Sequence, residues 1–390
     1  MNIKCKTYSS YEDFISLKEQ WPESNSRYFE TDFEYLSSLY KENLFDGEPL
    51  TILLTDSAGK SVLINGVIED VKYSPKIAYF TLKFIRFKKR CFLVRPYSIL
   101  GEINDNMAAR DIETALNIYC RKNNIDYVYF SLLSRGSMFV QYLSTIKNPL
   151  KKDPASLIEK HFLLEIPESL EGYFKTKDAK SRYNLKRLMK QLENTYKENI
   201  TVRIFTEVKD VEVFCEHAEI ISQKSHLRPL NVGFRSTPTE IKKKKILANI
   251  GFFRSYILYL DGRPAAFISG VIYKRSFFTE HIGFDIQYER LSIGSYLLLK
   301  AIEDIASNRC ADIIDYSYGS DSYKKRFSSL VNEDIRIRLF IPKISNVLFM
   351  MNLAFFTAIT NLTRKTLKKT GMYAKIRKTV RNMLRASQNI

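Results

Sequence analysis

Two groups of side chains in this sequence combine a type and a spacing that suit chemistry. One is a row of bases. Arg182, Lys186 and Lys190 recur at i, i+4 and i+8, with Lys180 and Arg187 close by. Such a row of cations with planar guanidinium forks suits a phosphate or diphosphate group, although a solvated helix face gives the same pattern. The other group can move protons. In the segment Ser276–Phe284, Glu280 is flanked on its strand face by apolar Phe278 and Ile282, which predicts a raised carboxyl pKa and a general base. His281 beside it titrates intrinsically near neutrality. Strand alternation sends the two to opposite faces, so at most one faces a cleft directly. A surface glutamate and a structural histidine on a half-exposed strand would look the same.

The elements that must position these groups are legible. The basic row lies on a helix predicted over Asp178–Asn194, whose buried stripe is Leu185, Leu188, Met189 and Leu192. Ser276–Phe284 is the third strand of a meander. Ser255–Leu260 comes first, then a turn at Asp261-Gly262-Arg263-Pro264, then Ala265–Tyr273 and a Lys274-Arg275 turn. A helix near Ile293–Ser307 and a strand at Ile313–Tyr316 close the unit.

The first half repeats that order loosely. Strands are predicted at Leu50–Thr55, Ser61–Ile68 and Ile77–Phe84, a helix from Asn104 or Asp105 to about Lys122, and a strand at Tyr127–Leu132. Repeated order without repeated sequence points to two copies of one α/β unit, α+β in its mixed sheets, flanked by helices; chance similarity of two α/β halves is the alternative. The seam falls between Pro154 and Pro167, which divides the chain into residues 1–155, 156–340 and a basic helical tail, 341–390.

Composition narrows the class. The 390 residues are 45% hydrophobic, 13% aromatic and 27% charged, which excludes wholesale disorder. The five cysteines are scattered without a CxxC pair and there are only four histidines, so free thiols in a reducing compartment are expected, with no metal site. The N-terminus lacks an apolar core and carries early acids, unlike a signal peptide, so the expected location is cytoplasmic.

The net charge of +18 is unevenly placed. No acidic residue follows Asp334, and residues 335–390 carry +12, leaving +6 for the rest. Within the tail, Tyr373, Ile376, Val380, Met383 and Leu384 recur at helical spacing opposite Lys375, Arg377, Lys378, Arg381 and Arg385. The apolar run before them, Val347–Ile359, is about 20 Å long as a helix, too short for a bilayer core of about 30 Å. Residues 341–390 are therefore expected to meet an anionic membrane surface peripherally, at its inner face; packing on the protein with a solvated basic tail, and nucleic-acid contact, remain alternatives.

Several segments together resemble a family. Ile282-Gly283-Phe284-Asp285, then Leu291-Ser292-Ile293-Gly294-Ser295-Tyr296-Leu297-Leu298, then Ile314-Asp315-Tyr316-Ser317-Tyr318-Gly319-Ser320-Asp321-Ser322-Tyr323-Lys324-Lys325-Arg326-Phe327 resemble GNAT-superfamily acyltransferases of the cellulose-biosynthesis type. These are close in architecture to Fem-type aminoacyltransferases, whose second domain opens on a basic helix similar to Lys180–Arg187. Leu93–Gly101 is similar to the corresponding first-half segment, and the resemblance spans roughly residues 20–330.

The resemblance implies tandem GNAT-like domains that transfer an acyl group, with acetyl-CoA or another acyl-CoA as donor, to an amine of an amino sugar, nucleotide sugar or cell-envelope precursor. Such a reaction needs a base for the amine, donors for the oxyanion and a proton or cation for the leaving group. Tyr323 is then the candidate to protonate the leaving group or orient substrate, Asp315 a strand-end site residue, Lys324 a partner for phosphate or developing charge, and Glu280 or His281 the base. Arg182, Lys186 and Arg187 are candidates for holding a phosphorylated acceptor. The donor loop would be Arg290-Leu291-Ser292-Ile293-Gly294-Ser295, although Ile293 interrupts the small-residue pattern of coenzyme-A binders. Fem-type relatives use aminoacyl-tRNA instead, and a non-catalytic protein that binds a sugar nucleotide or scaffolds glycan assembly is a further alternative.

Overall fold

Turn chemistry and apolar alternation build most of the strands. The computed structural model describes residues 3–22, 28–57, 59–77, 80–82, 85–101, 103, 106–226, 228, 233–319 and 321–369. They form two compact units, one of residues 3–159 with 333–369 and one of residues 160–332.

In the first unit, strands β1 (Lys4–Tyr8), β2 (Glu48–Thr55), β3 (Ser61–Tyr73) and β4 (Phe87–Leu100) precede helix α1 (Asn106–Lys122) and strand β5 (Tyr127–Ser134). The second unit follows with β6 (Leu157–Glu165), from Lys160 onward, then α2 (Ala179–Tyr196), β7 (Ile200–Phe205), α3 (Val211–Gln223) and α4 (Pro238–Asn249). It continues through β8 (Ser255–Leu260), β9 (Arg263–Tyr273), β10 (Ser276–Phe284), α5 (Ile293–Asn308), β11 (Ile313–Tyr318) and α6 (Ser322–Phe327). Strand β12 (Leu330–Phe340), from Glu333 onward, and helix α7 (Ile344–Lys369) return to the first unit.

Strand order is the same in both units. The first runs β1-β2-β3-β4-β5-β12 and the second β7-β8-β9-β10-β11-β6. In each, a three-stranded antiparallel meander crosses over through a helix to a parallel neighbour, β4 to β5 through α1 and β10 to β11 through α5. A further antiparallel strand completes each sheet, β12 on β5 and β6 on β11. Residues 333–340, grouped from sequence with the second half, thus pair with the first. A strand that follows a short loop carries no linker signal to announce the change.

One predicted strand lies elsewhere. Of the stretch expected as Ile77–Phe84, residues 78, 79, 83 and 84 lie outside the described residues. Among the described residues Lys76–Ile77 pairs with Phe80–Thr81, and the third strand of the first meander is β4. Its charged stretch Lys88-Lys89-Arg90 and its Pro96 disguise a strand that is nevertheless paired with β3 over Phe87–Val94 and again, after a break in register, at Ile99 and Leu100.

Each unit has its own core. Ala109, Ile112, Leu116 and Cys120 of α1 pack on Ile64, Phe92, Val128 and Phe130. In the second unit Ile293, Leu297, Ala301, Ile302 and Ile305 of α5 pack on Tyr256, Leu258, Ile268 and Ile314, with Leu185 and Leu192 of α2. Each Leu or Ile so buried contributes about 1.5–3 kcal/mol. Asp178 caps α2, accepting the Ser181 amide hydrogen at 2.9 Å, so the helix starts where the sequence predicts.

The tail begins differently from the expectation. Helix α7 spans 26 residues, and Ile344–Thr363 is long and apolar enough by length and composition to cross a membrane. Phe349, Met350 and Leu353 are instead packed against Cys91, Tyr127 and Phe340 with Tyr73 and Phe87 at the margin, and Phe356 is buried as well. The amphipathic pattern from Tyr373 to Leu384 lies outside the described residues.

Candidate active site

The candidate residues all lie in the second unit, in which β10 and β11 part beyond a short parallel pair. The parallel pair is in register only from Ser276 with Ile313 to Phe278 with Asp315, although both strands continue beyond. The last tie is the Thr279 hydroxyl, which donates to the Asp315 carbonyl at 2.9 Å.

Just past that tie sits a bulge. Ser269 of β9 faces His281 and Gly270 faces Thr279, so Glu280 is the extra residue. A bulge re-aims the side chains that follow it. Both Glu280 and His281 consequently face the helices α3 and α4, rather than opposite sides as strict alternation predicts. Glu280 accepts from Lys244 of α4 at 2.9 Å and from the Ser269 hydroxyl at 3.0 Å. The His281 ring lies edge-on to Phe234, with centroids 5.8 Å apart. Lys244 is buried between Glu280 and Glu240, 3.1 Å from the latter, and lies over the Phe234 ring.

This ion network reverses the expected pKa of Glu280. Burial alone would raise it, but the Lys244 charge and hydrogen bond outweigh burial and hold the carboxyl below its ordinary range. His281 moves down as well, chiefly through burial, and is neutral at pH 7.

Asp315 is also committed to neighbours. Its Oδ1 lies 2.7 Å from His161 Nε2 and accepts the Ser317 amide hydrogen at 2.6 Å. His161, on β6, has no signal in the sequence: it lies 154 residues from its partner. The carboxylate fixes the start of the loop in which Ser317 and Gly319 take positive φ angles. That loop is closed by Lys324, whose buried ammonium donates to the Tyr318 carbonyl at 2.6 Å. Lys324 therefore ties the chain at Tyr318. Tyr323, on the first turn of α6, stands edge-on to the buried Tyr316 ring at 6.2 Å. Burial raises its phenol pKa, so the hydroxyl keeps its proton.

A basic face is assembled from three elements. A cavity of about 430 Å³ is lined by Ser181, Asn184, Arg187 and Gln191 of α2, by Arg290 and Ser292 before α5, and by Arg326 of α6. Among the described residues no carboxylate forms an ion pair with these three arginines. No side chain caps α5, and Ser292, its N-cap residue, is left-handed at φ 53°. An uncapped helix start presents backbone N–H groups and the positive end of a dipole, and with three guanidinium groups this makes a site for anions. Ile293, which breaks the small-residue pattern in sequence, points into the core and leaves the loop's polar side unobstructed. Gly294 and Ser295 form the first turn of α5 and do not line the cavity.

The basic row on α2 thus divides. Arg187 lines the cavity; Arg182 and Lys186 do not. Lys186 is paired with Glu171 at 2.8 Å and lies over the Phe174 ring. Spacing identified a basic helix but not which of its faces meets α5. Arg326, unremarked beside Lys324 in the sequence, supplies the third guanidinium. A shape that accepts phosphates suits the diphosphate of coenzyme A, so the residues present fit that group.

Residues 179–325 match the family model described as an acetyltransferase (GNAT) domain. Sequence comparison with proteins of curated function gives no match. The fold is similar to the crystal structure of FemX, with a TM-score of 0.56 at 9% identity, covering 90% of this chain and 99% of that one. It is also similar to a conserved protein of unknown function from Bacteroides thetaiotaomicron, with a TM-score of 0.50 at 12% identity over 86% of this chain and 100% of that one. A tandem GNAT protein from the clavulanic acid biosynthesis pathway matches at a TM-score of 0.48 and 8% identity, over 88% and 99% of the two chains. At these identities the likeness is one of fold. The second unit carries a GNAT acetyltransferase domain, and the chain is an N-acyltransferase.

Proposed function

We propose that the chain transfers an acyl group from an acyl-CoA, acetyl-CoA in the simplest case, to the amine of an amino sugar, nucleotide sugar or other cell-envelope precursor. The observation that carries this reading is the three-arginine cavity at the uncapped start of α5, inside the residues that match the GNAT domain. Its chemistry is that of a diphosphate holder. When bound there, the donor supplies a thioester carbonyl as electrophile and a sulfur leaving group.

The chain's own residues then take distinct parts. Arg187, Arg290 and Arg326 hold the donor's phosphates and position it along the edge where β10 and β11 separate. His281, neutral and beside that edge, accepts the proton that the amine loses as its nitrogen bonds to carbon. Tyr323 returns a proton to the departing sulfur, a role that suits a phenol kept protonated by burial. Glu280 and Asp315, both already engaged, position rather than react: one anchors the bulge through Lys244, the other the loop through Ser317. The balance is closed, since one N–C bond forms, one C–S bond breaks, and the proton His281 takes from nitrogen is matched by the one Tyr323 gives to sulfur, solvent then returning both side chains to their starting protonation.

An aminoacyl-tRNA donor is the second reading, favoured by the exposed Lys180 and Lys190 on the same helix as Arg187. Thermal melting and thiol release separate the readings. Acetyl-CoA should raise the melting temperature, and free thiol should appear only when an amine acceptor is added. Stabilisation by charged tRNA, weakening with salt, would replace the donor. Stabilisation by a uridine diphosphate amino sugar, with no turnover from either donor, would overturn the catalytic reading.

A further inference from the structure

Helix α7 carries two apolar faces, and among the described residues only one is covered. Phe349, Met350 and Leu353 pack on Cys91, Tyr127 and Phe340 of the first unit, and Phe356 on the same face is buried. On the opposite side Ile344, Leu348, Met351, Phe355 and Leu362 are between 59% and 88% exposed. Their spacing of four, three, four and seven residues keeps them on one stripe. Exposed large apolar side chains aligned in this way mark an interaction surface.

The charge pattern around the stripe selects the occupant. Ile344–Thr363 contains no charged residue, and Arg364, Lys365, Lys368 and Lys369 follow at once. Lys365 and Lys369 are exposed. No acid occurs anywhere in residues 335–390, so a second copy of this segment brings only further cations. Phospholipid headgroups bring the opposite charge. Each basic residue near an anionic surface strengthens binding about fivefold.

The inner contacts fix the mode of binding. Asn346 donates to the carbonyls of Asp126 at 2.7 Å and Ile341 at 2.8 Å, and Lys89 donates to Asn346 Oδ1 at 2.8 Å. With these bonds and the buried aromatic face in place, the helix lies along a surface and does not cross it.

We propose that α7 docks the chain in the plane of an anionic lipid bilayer, with Leu348, Met351 and Phe355 in the acyl region and Lys365 and Lys369 at the headgroups. The test is flotation of the full-length chain with vesicles of phosphatidylglycerol and phosphatidylcholine, against vesicles of phosphatidylcholine alone. The chain should float with the mixed vesicles only, and raising the salt should weaken binding at least about tenfold. The triple variant L348S/M351S/F355S changes exposed residues only, so its melting temperature should hold while lipid partition falls about tenfold or more. Alkaline carbonate should extract the bound protein. Undiminished binding of the triple variant, resistance to carbonate, or a wild-type dimer that ignores lipid and dissociates in the triple variant would each overturn the proposal.

Discussion

The two units share one strand order, and the same position in each shows how differently they use it. The parallel pair β4–β5 ends with Val94 opposite Phe130, and β10–β11 ends with Phe278 opposite Asp315. Each pair closes on a hydroxyl bonded to the neighbouring carbonyl, Ser131 to Val94 at 2.7 Å and Thr279 to Asp315 at 2.9 Å. Beyond that tie the units diverge. Phe130 is fully buried among Phe139, Val128 and other apolar residues, whereas Asp315 holds His161 and a loop that leads to Tyr323. One scaffold therefore serves packing in the first unit and titratable groups in the second.

That contrast can be broken experimentally. The largest effect is expected at Tyr323. Tyr323→Phe should lower kcat about 10²–10³-fold with little change in melting temperature, as expected for a lost proton donor; a kcat within threefold of wild type would remove it from the chemistry. The matching change in the first unit, Phe130→Ala, should cost about 3–5 kcal/mol of stability while turnover per folded molecule stays the same. A denaturant titration beside an activity assay measures both. A selective loss of kcat there would mean that both units take part in the reaction.

Within the second unit, Arg326→Ala and Arg187→Ala should each raise the KM for the acyl donor about tenfold or more. Arg182→Ala, on the same helix but outside the cavity, should leave it unchanged, and steady-state kinetics with varied donor sharpen that division. The smallest effect concerns pH. The His281 pKa is lowered on folding, so the unfolded chain takes up its proton first and stability falls as pH drops below about 6.5. Glu280, also lowered, adds a further loss below the ordinary carboxylate range. His281→Gln should flatten the first of these slopes, measured as melting temperature between pH 7 and pH 5; an unchanged slope would assign it to other groups.

Much of this was legible from local pattern. The turns at Asp261-Gly262 and Lys274-Arg275, where all four residues take positive φ, framed the second meander, and Asp178 announced α2. What escaped depends on contacts distant in sequence. The bulge at Glu280 is set by the register with Ser269 and Gly270, and the lowered carboxyl pKa by Lys244, 36 residues away. The cavity draws Arg187, Arg290 and Arg326 from three separate elements, so no helical periodicity could separate Arg187 from Arg182. In the first half, β4 was missed because its charged Lys88-Lys89-Arg90 stretch and its proline hide the alternation on which strand prediction rests.

Hydrogen–deuterium exchange with and without coenzyme A tests most directly the claim that phosphate holding and acyl transfer belong to the second unit. Added coenzyme A should slow exchange in residues 181–191 and 286–296 and leave residues 87–134 unaffected. Protection confined to 87–134, or none in either segment of the second unit at saturating ligand, would contradict it.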